Sequence, residues 1–424
     1  MRAQSLGMIV AVSVIAAFFI ACGNGTNQST DPSTSETSNV PDGSTSASSN
    51  SATDGSGPPD ALGSESASAD SGAGSSGAQT GSSGTSSGLG SDGGSDASGS
   101  GAADAGAPGI APCDLYQSAG TPCVAAHSTV RALYGSYDGS LYQVRRHSDG
   151  TTRNIAVRGP GGFADTSVQD SFCSGTSCTI SVLYDQSPNH NDLAKSPVAY
   201  WLPEGGTESS ATAATIKVSG QTVHGVYVTG FSTNVAYRNN TTRNLATRDE
   251  PEAMYMVVDG TRFDAYCCFD YGNAETDGKD DGNATMEALY WGSSTQWSRG
   301  GGNGPWVAAD LENGMFEGDS TNTPSNTPVN FPYATAMLKG PSGNSMALKA
   351  GNAQSGALAI KWNGARPSGY SPMKKQGAII LGTGGDGSQG GTGTFFEGAM
   401  TSGNPPDAID DAVQRNIVSA GYGR

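Results

Sequence analysis

Large apolar side chains are nearly missing from the first quarter of this 424-residue chain, and their absence excludes a packed core there. From about residue 23 to 110 the sequence is almost all Ser, Gly, Ala, Thr and Asp, with scattered Pro and no hydrophobic period. Basic charge is scarce: 22 Lys and Arg against 39 Asp and Glu give a net charge of −17, which argues against a surface that grips nucleic acid or anionic lipid headgroups. Ten acids and one base, Arg2, precede residue 111, so the rest of the chain carries about −8, a common state for an extracellular domain. Histidine is rare, and His127, His147, His190 and His224 form neither an i, i+4 pair nor a zinc-ligand cluster. A GxSxG elbow is lacking, which leaves a serine esterase without support. There is no internal repeat of solenoid length.

The longest apolar run, Met8 to Ala21, is short for a membrane span but follows Arg2 and ends at Cys22-Gly23. That is the pattern of a bacterial lipoprotein signal, although Phe19 stands where Leu is usual. Seven cysteines divide into Cys22 and three close pairs: Cys113 with Cys123, Cys173 with Cys178, and Cys267 with Cys268. Acylation of Cys22 would use the odd thiol and leave six to pair in an oxidising compartment. The expected organisation is a signal peptide over 1–21, a lipid-anchored disordered linker over 22–110 and a folded domain over 111–424. A Gly/Ser coil of that length reaches on the order of 50 Å. The expected location is an anchored, exported lipoprotein facing the periplasm or the cell exterior, with Gly23 favouring an outer surface.

Beyond Ala111 short apolar runs recur between turn residues: Thr179–Tyr184, Val223–Val228, Ala253–Val258, Met286–Trp291, Ala334–Leu338, Ala357–Trp362 and Gly377–Leu381. Their length and borders predict strands. Two stretches look helical, Thr129–Val144 and a terminal one after Pro406, where Ile409, Val413 and Ile417 stand four apart behind an acidic first turn. The expected fold is all-β, a sandwich of two antiparallel sheets with long loops and a closing helix. Gly382-Thr-Gly384-Gly385-Asp386-Gly387 spells GxGxxG, but no helix can follow it to receive a pyrophosphate. Asp277-Gly-Lys-Asp-Asp-Gly lacks the third and twelfth ligands of a calcium loop.

Glu312 and Asp386 stand out as carboxylates at or just beyond apolar strands, and Asp310 shares a strand face with the position two residues on. Glycoside hydrolysis needs two such groups, one ionised and one protonated. Solvated loop acids are the plain alternative. Adjacent Cys267 and Cys268 are less ordinary, because a bond between neighbours closes a tight eight-membered ring that presents a flat apolar platform.

Cys113–Tyr116, Thr121–Tyr134, Tyr184–Ser187, Cys267–Thr276, Gly304–Trp306, Asp310–Asn313, Gly364–Pro367 and Gly377–Asp386 together resemble the catalytic domain of glycoside hydrolase family 54, the α-L-arabinofuranosidase B type. The resemblance runs from about residue 111 to the C-terminus. It implies a retaining mechanism, Glu312 as nucleophile, Asp386 as general acid/base, and the Cys267–Cys268 disulfide stacked on the sugar. It also implies sugar contacts from Asp310, Asn313, Gly314 and Gly385, with Trp297 walling the pocket, and neither metal nor cofactor. Where relatives carry a second Asn this sequence has Gly314, so a side-chain contact from that position is lost. Relatives commonly continue into an arabinose-binding β-trefoil, whereas this sequence ends at Arg424; anchor and tether are expected to serve in its place. The expected activity is exo-acting release of arabinofuranosyl groups from arabinan or arabinoxylan by a monomer, with arabinose-containing plant polysaccharides as its partners and the membrane touched only through the lipid. A β-xylosidase on the same scaffold and a non-catalytic surface lectin are the competing readings. Cys22→Ala should move the protein from the detergent phase to the aqueous phase on Triton X-114 partition; wild-type protein already in the aqueous phase with residues 1–21 intact would defeat the anchor.

Overall fold

The computed structural model describes residues 109–424, so the expected signal, Cys22 and nearly all of the expected tether lie outside the described residues. Two sheets carry most of the strands, and their strand pairs are antiparallel. One has seven strands, in the order Cys123–Ser128, Thr392–Ser402, Glu252–Asp259, Tyr333–Gly340, Met346–Asn352 and Ser355–Gly364, with Val226–Thr229 also pairing with Thr392–Ser402. The other has eleven. Its first five in order are Met315–Phe316, Trp306–Asp310, Glu287–Gly292, Asp270–Ala274 and Ala378–Leu381.

Glu252–Asp259 shows why these segments appear as unbroken apolar runs. A Cβ on Gly272 of the larger sheet would lie 2.8 Å from Met254 Sδ, so Met254 packs between the sheets. On the opposite face Tyr255 meets Tyr116 of the helix Pro112–Ser118, with ring centroids 6.4 Å apart. Both faces are covered, and alternation of apolar with polar residues is therefore lost. Trp291, Tyr271 and Phe395 are fully buried in the shared core. Charge also joins the sheets: Lys375 Nζ lies 3.1 Å from Glu252 Oε1 and 2.9 Å from Glu287 Oε2, while Arg366 Nη2 donates to Glu287 Oε1 at 2.7 Å. All four side chains are buried, where each charge depends on its partners.

The terminal helix spans Asp407–Ala420, buries Val413 and Ile417, and stops at left-handed Gly421 (φ 77°). Buried Asp410 accepts from Lys339 and Lys349 at 2.8 and 2.7 Å, which docks the helix on neighbouring strands. The expected strands are present, with Val223–Val228 divided at Gly225 into Gln221–His224 and Val226–Thr229. A helix over Thr129–Val144 is not. Ser128 Oγ accepts from the amides of Val130 and Arg131, both at 3.0 Å, bends follow through Gly135 and Gly139, and Ser140–Arg146 is a strand that buries Leu141, Tyr142 and Val144. Two helices were not expected, Pro112–Ser118 and Thr166–Phe172; at seven residues each they are too short to show a period. Disulfides Cys113–Cys123 and Cys173–Cys178 form as the spacing suggested, with Cα atoms 5.6 and 5.8 Å apart.

Candidate active site

Three connections at one end of the larger sheet build a single cleft. Strands Trp306–Asp310 and Met315–Phe316 pair through Asp310 and Met315, and Leu311 N donates to Gly314 O at 3.0 Å. Glu312 and Asn313 are thus the two central residues of a tight hairpin, and both have positive φ, 62° and 57°. That is the backbone of a type I′ turn, which favours Asn and Gly and is unfavourable for Glu. The Glu312 carboxyl therefore sits at the tip of a turn held in a strained conformation. Asp310 Oδ1 accepts from Glu312 N at 3.2 Å, and Tyr370 Oη donates to Asn313 O at 2.8 Å. Asn313 Nδ2 donates to Asp280 Oδ1 at 2.9 Å, so the acidic Asp277–Gly282 segment braces the turn. A Cβ on Gly314 would come within 2.3 Å of the Phe316 ring and 2.6 Å of Tyr370 Oη, so these two side chains close over the space that a side chain there would fill.

The second connection follows Ala378–Leu381. Gly384 N donates to Ser388 O at 2.9 Å and Ser388 N to Asp386 Oδ1 at 2.9 Å, closing a compact loop, and Trp201 N donates to Asp386 O at 3.0 Å. A Cβ on Gly385 would fall 1.9 Å from Glu275 Oε2 and one on Gly384 2.2 Å from Ser388 Oγ. The GxGxxG glycines serve this close approach, and the segment runs on into the strand Thr392–Ser402. The third element is the Cys267–Cys268 disulfide, whose joining peptide is cis. Cys268 Sγ lies 3.6 Å from Asp310 Oδ2 and 3.4 Å from Ser388 Oγ, and Gly390 N donates to Cys267 O at 2.6 Å.

The cleft is lined by Cys267, Trp297, Asp310, Glu312, Asn313, Gly314, Gly385 and Asp386, together with Gly384 and Ser388. All the expected sugar-site residues but Cys268 therefore face one space; Cys268 is buried behind it. Four residues that shape its electrostatics were not expected. Asp270, Glu275 and Arg238 are buried around it, and Thr285 donates to Glu275. Arg238 Nη1 donates to Gly385 O at 2.5 Å and Nη2 to Glu275 O.

Burial pushes every one of these carboxyls upward. Asp310 and Glu275 rise to about 7, and Glu312, with Glu275, Asp386 and Asp310 adding repulsion, is pushed up to about 12. Asp270 is raised far above the usual range by burial and then by Asp310, and Asp386 is raised by burial. Such neighbours share protons as a group. Asp270 in its neutral form can donate to Asp310, and both of its buried oxygens otherwise lack a partner.

Residues 112–423 match the family described as "Alpha-L-arabinofuranosidase B, catalytic". "Alpha-L-arabinofuranosidase B" of Emericella nidulans is 53% identical over 319 residues, covering 73% of this chain and 62% of that protein. "Arabinofuranosidase/B-xylosidase" of Trichoderma koningii is 50% identical over 318 residues, with 73% and 63% covered. A structure described as "Crystal structure of arabinofuranosidase complexed with arabinofuranosyl-alpha-1,2-xylobiose" superposes with a TM-score of 0.72 at 46% identity, covering 74% of this chain and 66% of its own. The chain thus spans a little over three-fifths of the length of the curated relatives it matches.

Because Glu275 is raised from 4.5 to about 7, the stability tied to its neutral form is fully present below about 4.5 and is lost as pH rises through about 7. Glu275→Gln removes that loss. The variant should gain on the order of 1–3 kcal/mol relative to wild type between pH 5 and pH 8, measured by urea unfolding at the two values. An offset independent of pH would remove Glu275 from the coupled cluster.

Proposed function

This chain belongs to the α-L-arabinofuranosidase B catalytic family, and from that membership we propose that it is a retaining, exo-acting α-L-arabinofuranosidase that releases terminal arabinofuranosyl groups from arabinan or arabinoxylan. One observation carries the reading: Glu312 and Asp386, delivered by separate connections, line one small cleft beside the vicinal disulfide. In the first step Glu312 attacks the anomeric carbon while Asp386 protonates the departing oxygen. Water then attacks the glycosyl-enzyme ester, and Asp386 takes its proton.

In the free protein Glu312 holds its proton strongly, and a protonated carboxyl cannot attack. Positive charge developing at the anomeric carbon lies against Glu312 and favours its ionised form, while the surrounding carboxyls can take up the displaced proton. The same proton affinity supports a second reading with the roles exchanged, Glu312 as acid and Asp386 as nucleophile. The name of the Trichoderma koningii relative favours including aryl xylosides among the substrates tested. The lipid anchor at Cys22 and an exported location belong to the same proposal, and they would keep the domain close to an insoluble polymer.

Leaving groups separate the two assignments. A nitrophenolate departs readily without a proton, but a polymer hydroxyl does not. Asp386→Ala should therefore lose about 10²- to 10⁴-fold on arabinan and much less on the first step with 4-nitrophenyl α-L-arabinofuranoside, whereas Glu312→Ala should fail on both. With azide added, Glu312→Ala should give the inverted glycosyl azide and Asp386→Ala the retained one. Products of the opposite configuration would establish the exchanged roles.

A further inference from the structure

Arg238 is buried, yet its side chain donates to three uncharged oxygens and, among the described residues, pairs with no carboxylate. A cation held that way is costly to bury, so what it joins carries weight. Its three acceptors are Asn240 Oδ1, the carbonyl of Gly385 just before the general acid, and the carbonyl of Glu275. Glu275 opens the acidic segment 275–282, which no step of the proposed reaction uses. We propose that Arg238 is a positioning residue: it clamps the acid loop to this segment, and the segment acts as a strut that sets the distance between Asp386 and Glu312. The proposal rests on the assignment of those two carboxyls as the reacting pair.

The strut is braced within itself. Thr285 Oγ1 hydrogen-bonds both Glu275 Oε1 and Gly282 O, which draws the two ends of the segment together. Lys279 N donates to Asp277 Oδ1 at 3.1 Å and Gly282 N to Asp280 Oδ1 at 2.8 Å, so each Asp folds the backbone that follows it. The nucleophile's turn joins the strut through Asn313 Nδ2, which donates to the same Asp280 oxygen at 2.9 Å. The acid loop joins it twice. One link is the guanidinium, with Nη1 on Gly385 O and Nη2 on Glu275 O. The other is a pair of successive amides, Tyr200 N donating to Gly278 O at 2.9 Å and Trp201 N to Asp386 O at 3.0 Å. Ala199 packs between the linked backbones, since a Cβ on Gly278 would lie 3.0 Å and one on Gly387 2.6 Å from its own Cβ. Retention needs the two carboxyls roughly 5 Å apart, and a separation of roughly 6.5 Å or more admits water for a single displacement. A slack of an ångström or two therefore matters.

The guanidinium also brings charge. Glu275, Asp277, Asp386 and Glu312 are the carboxyls that face it, and a cation among them favours their ionised forms. Without that charge the carboxyls hold their protons more strongly. Both limbs of the pH–rate profile, one set by ionisation of the nucleophile and the other by the proton on the acid, then move to higher pH.

Arg238→Lys keeps the charge but loses the planar fork that spans two carbonyls, whereas Arg238→Met keeps the bulk and loses both. On 4-nitrophenyl α-L-arabinofuranoside each should lower kcat about ten- to a hundredfold, while KM stays within about threefold because Arg238 does not line the cleft. The Lys variant should keep the wild-type limbs, and the Met variant should carry both upward by about one unit. Should the Met variant not fold, Asn240→Ala, which removes only the acceptor of Arg238 Nε, should lower kcat with KM and both limbs unchanged. Hydrogen–deuterium exchange of the Lys variant should quicken in 276–283 and 383–389 and stay as in wild type over 252–259. Unchanged kcat in the Lys variant, a fall in kcat matched by a rise in KM, or exchange that quickens evenly through the domain would overturn the clamp. Limbs that stay in place in the Met variant would overturn the role of the charge. If wild-type protein cleaves no arabinofuranoside, the assignment of the reacting pair fails on its own, and the exchange pattern still decides whether Arg238 clamps the two segments.

Discussion

Burial of several carboxyls side by side is the constraint on which this site depends. Asp270, Glu275, Asp310, Glu312 and Asp386 are nearly or fully buried in one region, with Arg238 as the cation among them. Five full negative charges cannot persist there, because burial and proximity each favour the neutral form. Protons and hydrogen bonds must carry the difference. The amides of Glu312 and Ser388 donate to Asp310 and Asp386, and Arg238 grips the backbone of Gly385 and Glu275. Glycines at 384 and 385 let that backbone approach where any side chain would collide. A cluster poised in this way can release a proton to a leaving group and spread the negative charge that remains.

The second constraint is geometric. A glutamate in a left-handed turn is an unfavourable arrangement unless its surroundings enforce it. Here the enforcement comes from the hairpin pairing of Asp310 with Met315, the Tyr370 hydroxyl on Asn313 O, and the Asp280 carboxylate on the Asn313 amide. The sandwich supplies the rigid base, since the strands beneath are covered on both faces. Asn313, expected to touch the sugar, lines the cleft and also donates its side-chain amide to Asp280.

Much of this architecture is legible in the sequence, for physical reasons that can be named. Covered strands show as apolar runs, a docked terminal helix shows as a period of four, and cysteines at short separations close local disulfides. Glu312, Asp386 and their neighbours were found through their surroundings and through resemblance to a family. Arg238, Asp270 and Glu275 were not, because their importance depends on strand register and burial: Arg238 lies on Tyr237–Asn239, far in sequence from the loops it holds. Asp270 and Glu275 stand inside the Cys267–Thr276 segment that carried the resemblance, yet nothing local marks them as coupled to Glu312. The helix expected over Thr129–Val144 failed because a side-chain turn at Ser128 and glycines at 135 and 139 compete with it.

The stereochemistry of transfer to methanol tests directly for a covalent intermediate on a carboxylate held at a turn tip. Methanol added during turnover of an aryl α-L-arabinofuranoside by wild-type protein gives a product whose anomeric configuration is fixed and readable by proton NMR, free of the mutarotation that scrambles released arabinose. Two displacements predict methyl α-L-arabinofuranoside. Methyl β-L-arabinofuranoside would mean a single displacement with no covalent intermediate.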